Sequence, residues 1–278
     1  MSDRGRVLAQ ALARELEPRA AGFRKLTGRP ATLAIIAAKD DPAGRKYLEL
    51  KRDRFRSAGL EVRACGFGAQ ATTMDVLALL HGLNADPAID AVFLQFPLPL
   101  AVDSRRVADL IAAEKDVDAS GATNLGRVLA GTARFLPATP AAVLRLLEEE
   151  LGGLAGRSVV VVGSGGFAER CLVLLAVTRG STVCVLAPAD PALPDAAAGA
   201  DAIVIADELP PGDSLRYVRN GAALIDAGYA CPPRPRDWLP ARALEQLGSY
   251  LPQYGNVGPL TVALLMQATL DAARSPGP

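Results

Sequence analysis

The chain has 278 residues, half of them apolar and 22% charged, which is enough material for two domains with separate cores and too apolar for disorder. Thirty basic residues balance thirty acidic ones. That balance excludes a broad electrostatic field for nucleic acid or an anionic membrane, so any anion site must be local.

Four cysteines (Cys65, Cys171, Cys184, Cys231) lie far apart without a C-x-x-C pair, which argues against a zinc site or a disulfide scaffold and fits free thiols in a reducing compartment. The N-terminus "MSDRGRVLAQALARELEPRA" is charged throughout, unlike a signal peptide. No segment reaches the roughly 18 apolar residues of a membrane span. The expected location is the cytoplasm.

Residues 5–20 are expected to form a helix with Val7, Leu8, Leu12 and Leu16 on one side. "ATLAIIAA" (31–38) reads as a buried strand, and 42–59 as a helix with Tyr47, Leu50 and Phe55 on its buried side and Gly59 as terminator. "LEVRACGF" is a strand, Thr72 or Thr73 caps the helix "MDVLALLHGLNAD", and "IDAVFLQFP" is the next strand. His81, the only histidine, falls in that helix and reads as a packing residue.

Near residue 139 the pattern restarts. "ATPAAVLRLLEEE" offers Thr139 as N-cap and Pro140 at the first helical position. "RSVVVVGSGGFAERCLVLLAV" is a strand, a glycine turn and a helix, and "STVCVLA", "ADAIVIA" and "AALIDAG" are further strands. Ala/Pro-rich loops are expected around 187–199 and 231–240. "YGNVGPLTVALLMQATLDAA" puts Pro259 at the start of a long apolar helix that returns to the first domain.

The expectation is an α/β protein of two domains. An N-terminal catalytic domain spans 1–138, joined by the returning helix at 257–278. A Rossmann-like domain spans 139–256.

Tyr47 and Lys51 are one helical turn apart, so ring and amine share a face. Gln95 closes an apolar strand and Asp118 sits in the polar turn "EKDVDASGATNLGR". An amine beside a ring, an amide and a carboxylate suits a flat, nitrogen-rich heterocycle and a proton transfer. Each residue is ordinary alone: helix lysines are usually solvated, and a tyrosine four residues away usually edges a core.

Taken in order, the blocks "LAIIAAKDDPAGRKYLELK", "LLHGLNADPAIDAVFLQFPLPL", "EKDVDASGATNLGRVLAG", "FLPATPAAVLRLLEE", "GRSVVVVGSGG", "NGAALIDAG" and "GNVGPLTVALLMQATL" resemble the bifunctional methylenetetrahydrofolate dehydrogenase/methenyltetrahydrofolate cyclohydrolase family. The resemblance implies that Lys51 is catalytic, Tyr47 stacks on the folate, Gln95 hydrogen-bonds the lysine and Asp118 binds the pterin. It implies Gly258 and Pro259 as further substrate-binding residues, and Gly163, Ser164, Gly165 and Gly166 as cofactor-binding residues. It further implies a tetrahydrofolate derivative as substrate, NAD or NADP as cofactor, a homodimer, and a cleft between the two domains. No metal, nucleic acid or membrane partner is implied. Arg127, Asp226 and Thr261 fall in matching blocks with secondary roles.

The chain departs from the family mainly in the cofactor half. The family's turn reads Gly-Arg-Ser-x-x-Val-Gly, with Arg and Ser gripping the nucleotide's extra phosphate. Here Ser164 and Gly165 stand in those places, and the next strand ends Leu186-Ala187-Pro188-Ala189 with nothing basic. Gly163-x-Gly165-x-x-Ala168 is still an acceptable dinucleotide fingerprint, without its usual acidic partner, since Asp190 comes too late. The later Gly-x-Pro segment is replaced by "ADELPPGDS". NAD is therefore expected over NADP, and dehydrogenase activity is placed in doubt. Smaller changes are Gly44 before the tyrosine motif, Ala119 for a glycine, Ala138 within the Pro-Cys-Thr-Pro segment, and Tyr254.

Cyclohydrolase activity is the expected function. The alternatives are a methylenetetrahydrofolate-using one-carbon transfer or formaldehyde-handling enzyme without hydride transfer, and a non-catalytic folate-binding relative.

Overall fold

The computed structural model describes residues 3–39, 42–207, 218–228, 239, 241–252 and 255–274. Cys231, Tyr254, most of the 231–240 loop and most of "ADELPPGDS" lie outside the described residues. The chain divides into two compact units, one of Gln10–Ala138 with Val262–Pro278, the other of Met1–Ala9 with Thr139–Thr261.

The first unit carries a three-stranded parallel sheet. Its chain enters through α1 (Arg4–Thr27), which is longer than the expected 5–20. Gly5, Ala9, Leu12, Leu16, Ala20 and Phe23 form its buried stripe, at the three- and four-residue spacing of a core-facing helix. Val7, expected on that side, is 63% exposed because it falls between two stripe positions.

Strand β1 (Thr32–Ala38) is buried along nearly its entire length. Strands pair on both of its edges, which explains the unbroken apolar run. Helix α2 (Pro42–Ser57) follows, then β2 (Glu61–Phe67), α3 (Thr73–Ala85), β3 (Ala91–Leu94), α4 (Ser104–Asp109) and α5 (Ala122–Leu129).

The sheet order is β2-β1-β3, with Ile36 opposite Cys65 on one side and Leu94 on the other. Thr72 is the cap of α3: its hydroxyl accepts from the Asp75 N–H, and the Asp75 carboxylate accepts from the Thr72 N–H. Val76, Leu80 and Leu83 face Ala34, Ile36 and Val92 in the core. His81 lies off that stripe and is exposed, which corrects the packing expectation.

The second unit begins its secondary structure with α6 (Ala138–Leu151). The helix starts one residue before Thr139, so Thr139 is inside the first turn and is not its N-cap. Strand β4 (Ser158–Val162), α7 (Phe167–Val177), β5 (Thr182–Leu186), α8 (Leu193–Gly199), β6 (Ala202–Ile205), β7 (Ala223–Asp226), α9 (Ala241–Gln246), β8 (Ser249–Leu251) and α10 (Val257–Ala273) complete the chain. Helix α8 falls where a loop was expected; Leu193 and Ala197 turn inward and anchor it, with a proline in its first turn.

All five strands are parallel, in the order β5-β4-β6-β7-β8. Chain connections leave β4 toward β5 and return past it to β6, so the carboxyl ends of β4 and β6 flank the crevice where open α/β sheets bind ligands. In the first unit, β1 and β3 meet in the same way. Helix α10 starts in the second unit and finishes in the first, where Asp271 pairs with Arg19 of α1. Among the described residues no helix is long and apolar enough to cross a membrane.

Candidate active site

The candidate site grows from the switch point of the first sheet. Gln95, the residue after β3, is tied to β1 by its N–H to the Ile36 carbonyl at 2.9 Å. Its side chain is buried and held at both ends: Nε2 donates to the Gly44 carbonyl at 2.8 Å, and Oε1 accepts from Lys51 Nζ at 2.9 Å. Lys51 is 0% exposed and shares the inner face of α2 with Phe55, at the i, i+4 spacing. Leu50, expected on that face, is 40% exposed. The inner face therefore contains the lysine and excludes the leucine beside it.

Two aromatic rings flank the amine. The Tyr47 ring centroid lies 4.2 Å from Nζ and that of Phe93 4.3 Å. Phe93 was not among the sequence candidates. Its signal was the strand alternation, which puts residues 93 and 95 on the same side of β3.

Burial lowers the Lys51 pKa from 10.5 to about 7, because an ammonium loses its hydration there, while the charge of Asp118 acts in the opposite sense. Among the described residues no carboxylate forms an ion pair with Lys51. Its one hydrogen-bond partner among the described residues is the neutral amide of Gln95, which binds the amine without restoring its proton.

Asp118 belongs to the turn between α4 and α5. One oxygen, Oδ1, accepts from the Ala138 N–H at 2.7 Å, supplying the capping contact at the first residue of α6. Burial raises its pKa and so does the charge of Asp116; the Ala138 N–H and Lys51 oppose the rise. The residue remains partly exposed at the surface. The turn is fixed by Asp116, 1% exposed, which accepts from the Ser120 N–H and hydroxyl, the Gly121 N–H and Asn124 Nδ2 at 2.9–3.2 Å. Ala119, the residue after Asp118, is held at φ 47, a left-handed conformation in which a Cβ is strained.

Tyr47, Lys51 and Gln95 are thus brought together, and Asp118 acts on Lys51 through space. Gly258 and Pro259 lie in the first turn of α10, in the other compact unit. Arg127 donates to Asn124, Asp226 accepts from the Gly228 N–H, and the Thr261 hydroxyl donates to the Val257 carbonyl; each contact is local.

The glycine turn lies at the carboxyl end of β4. Gly163 donates to the Leu186 carbonyl at 2.9 Å, Gly165 takes φ +76, and Gly166 is the N-cap of α7 without a side-chain cap. This backbone suits a dinucleotide diphosphate: a tight turn aimed at an eleven-residue helix with free N-terminal N–H groups. Its charge suits one less well, because Ser164 N already donates to Asp207 Oδ2 at 2.7 Å and Glu169 lies in the first turn of the helix. Among the described residues no cluster of three or more His, Cys, Asp or Glu is placed to hold a metal.

Comparison with known proteins matches this architecture. The family model for the tetrahydrofolate dehydrogenase/cyclohydrolase catalytic domain matches residues 4–118, and that for the NAD(P)-binding domain of the same enzymes matches 137–276. The bifunctional protein FolD 2 of Geobacter sulfurreducens is 32% identical over 98% of this chain and 96% of its own. Among solved structures, a 5,10-methylenetetrahydrofolate dehydrogenase from the silkworm Bombyx mori is 28% identical with a TM-score of 0.84, covering 97% of this chain and 96% of that one. The Trypanosoma brucei N5,N10-methylenetetrahydrofolate dehydrogenase-cyclohydrolase, complexed with NADP and an inhibitor, is 26% identical with a TM-score of 0.86 at the same coverage.

The fold and the buried lysine define a two-domain α/β enzyme. The chain belongs to the tetrahydrofolate dehydrogenase/cyclohydrolase family. The comparisons do not support the reservation about dehydrogenase activity, since the NAD(P)-binding domain is matched throughout. Nor do they favour an enzyme without hydride transfer or a non-catalytic relative.

Proposed function

We propose that the chain hydrolyses 5,10-methenyltetrahydrofolate at Lys51 and oxidises 5,10-methylenetetrahydrofolate with a nicotinamide dinucleotide. The observation that carries the first activity is the fully buried Lys51 amine donating to the neutral Gln95 Oε1 at 2.9 Å. Burial favours the neutral form, in which the nitrogen keeps its lone pair while an N–H donates to the amide. Water attacks the methenyl carbon, the new C–O bond takes the place of the C–N π bond, and the proton lost by the water passes to Nζ. The lysine later returns that proton to the ring nitrogen as its C–N bond breaks, and the hydroxyl left by the water releases its own proton to solvent as it becomes the carbonyl of the formyl group on the other nitrogen. The substrate is itself a cation, which adds to burial in disfavouring an ammonium beside it.

The flat face of Tyr47 supplies a stacking surface. The second oxygen of Asp118, with Oδ1 turned to Ala138, is the acceptor we assign to the pterin N–H donors. Gly258 and Pro259 are assigned to the folate as well, on the family resemblance.

Measuring decay of the methenyl chromophore for wild type and Lys51→Met tests the reading. Loss of nearly all enzymatic hydrolysis is expected, and equal rates would sink it.

For the second activity, NAD or NADP supplies the hydride acceptor when bound. The turn Gly163, Ser164, Gly165 and Gly166 is assigned to its diphosphate. Leu186, Ala187, Pro188 and Ala189 present nothing basic to a 2′-phosphate, which supports NAD. Calorimetric titration with each dinucleotide checks this, and tighter binding of NADP contradicts it.

We also infer a homodimer in the cytoplasm. The edge strand β5, with Val185 39% exposed, is open to pairing, and Cys65 and Cys184 are free thiols. Sedimentation of the purified chain reads the oligomeric state, and a monomer at micromolar concentration removes the dimer.

A further inference from the structure

The anion seat of the second unit contains a side chain of its own. Glu169 is the third residue of α7, and only 8% of it is exposed. Its carboxylate lies against the glycine turn. A Cβ placed on Gly163 would come within 2.8 Å of Oε1, and one on Gly166 within 2.6 Å of Oε2. Among the described residues it makes no hydrogen bond or ion pair. Arg170, the adjacent base, donates instead to the Gly165 carbonyl at 3.1 Å. Asp207, from the end of β6, takes the Ser164 N–H on the other side of the turn.

We propose that Glu169 is a resident anion in the dinucleotide diphosphate seat, and that it sets how weakly this chain binds its cofactor. A helix N-terminus offers partial positive charge and unpaired N–H groups to an anion. A carboxylate in the first turn uses that potential itself and repels a second anion. A diphosphate carries two further negative charges into the same crevice, so it must displace the side chain or bind against it. Gly163 and Gly166 have no side chains of their own there, and the space is taken by Glu169.

The inference rests on the dehydrogenase part of the proposed function. Its test is calorimetric titration of NAD into the full chain as wild type, Glu169→Gln and Glu169→Ala, with circular dichroism confirming that each is folded. Glutamine keeps the shape and removes the charge; alanine removes both. Both variants are expected to bind NAD about tenfold tighter than wild type at low salt. The gap should narrow as ionic strength rises, since the repulsion is screened. Equal measurable affinities for wild type and Glu169→Gln overturn this inference alone, as does a gap that ignores salt. Absence of NAD and NADP binding in all three proteins overturns it together with the dehydrogenase reading.

Discussion

Lys51 Nζ donates to Gln95 Oε1 at 2.9 Å, and the amide is itself fixed by its bond to the Gly44 carbonyl. A buried amine normally recruits a carboxylate, which would keep it protonated. Here the partner cannot titrate, so the protonation state is left to burial, the two rings and the distant Asp118.

The first consequence is a pH dependence. With the pKa lowered by burial to about 7, the free base grows as pH rises through that value. Hydrolysis of the methenyl substrate, corrected for the uncatalysed rate, should therefore increase from pH 6 to pH 8, with its midpoint near 7. A rate that is flat across this range, or falls with rising pH, contradicts the assignment of Lys51 as base.

Placing a charge at Gln95 should move that midpoint. Gln95→Glu puts a carboxylate at hydrogen-bonding distance from Nζ, which favours the ammonium. It also faces the Gly44 carbonyl with an acceptor in place of a donor. The expected result is a loss of activity at pH 7, partly regained at higher pH. A profile identical to wild type means that Gln95 does not govern the amine.

Phe93 should act in the opposite sense. Its ring face, 4.3 Å from Nζ, favours the cation by about 0.5–1 kcal/mol. Phe93→Leu removes this while keeping an apolar side chain, so the activity midpoint should fall by roughly half a pH unit. A rise shows that the lost ring mattered through hydration of the amine.

Lys51→Met should stabilise the fold while abolishing hydrolysis. The lysine pKa is lowered in the folded state, so the unfolded chain binds more protons between about 7 and 10.5 and stability rises with pH across that window. Below it, the wild type bears the full cost of a buried charge. Removing the amine relieves that cost but leaves Gln95 Oε1 without its donor, a loss of ~1–3 kcal/mol. A net gain of roughly 1–3 kcal/mol at pH 6 is expected, shrinking toward pH 10. Denaturant melts at both pH values measure it, and a destabilised variant at pH 6 contradicts the sign.

Asp118→Asn separates binding from folding. The amide oxygen can still accept from the Ala138 N–H. Burial raises the carboxyl pKa, so the charge costs stability in the native state and the variant should melt no lower than wild type at pH 7. Folate affinity should drop by about tenfold or more, because an amide cannot accept two pterin donors with full charge. Unchanged affinity removes Asp118 from the substrate contacts.

The α/β alternation was legible along the chain because strands and helices leave different local periods. The run 31–38 reads as a buried strand and is one, and the strand–glycine turn–helix at 157–177 reads as the opening of a dinucleotide-type unit and opens the second parallel sheet. Tyr47 and Lys51 were legible as neighbours because a helix places i and i+4 together. Helix ends were harder: α6 starts before Thr139, and its first N–H is met by Asp118, twenty residues upstream, beyond the reach of any local capping rule.

Burial and pairing were settled by packing. In α2 the leucine at 50 points out and the lysine at 51 points in, an arrangement that runs against side-chain polarity and follows from the helix's rotation against the sheet. Phe93 joined the amine through a contact between segments that periodicity treats separately, and the fold of Glu169 back over the glycine turn is a matter of side-chain direction that periodicity does not encode. Backbone periodicity is a short-range property, written in each segment's own side chains. Which buried polar group meets which partner depends on where the segments come to rest, and that is a property of the folded chain alone.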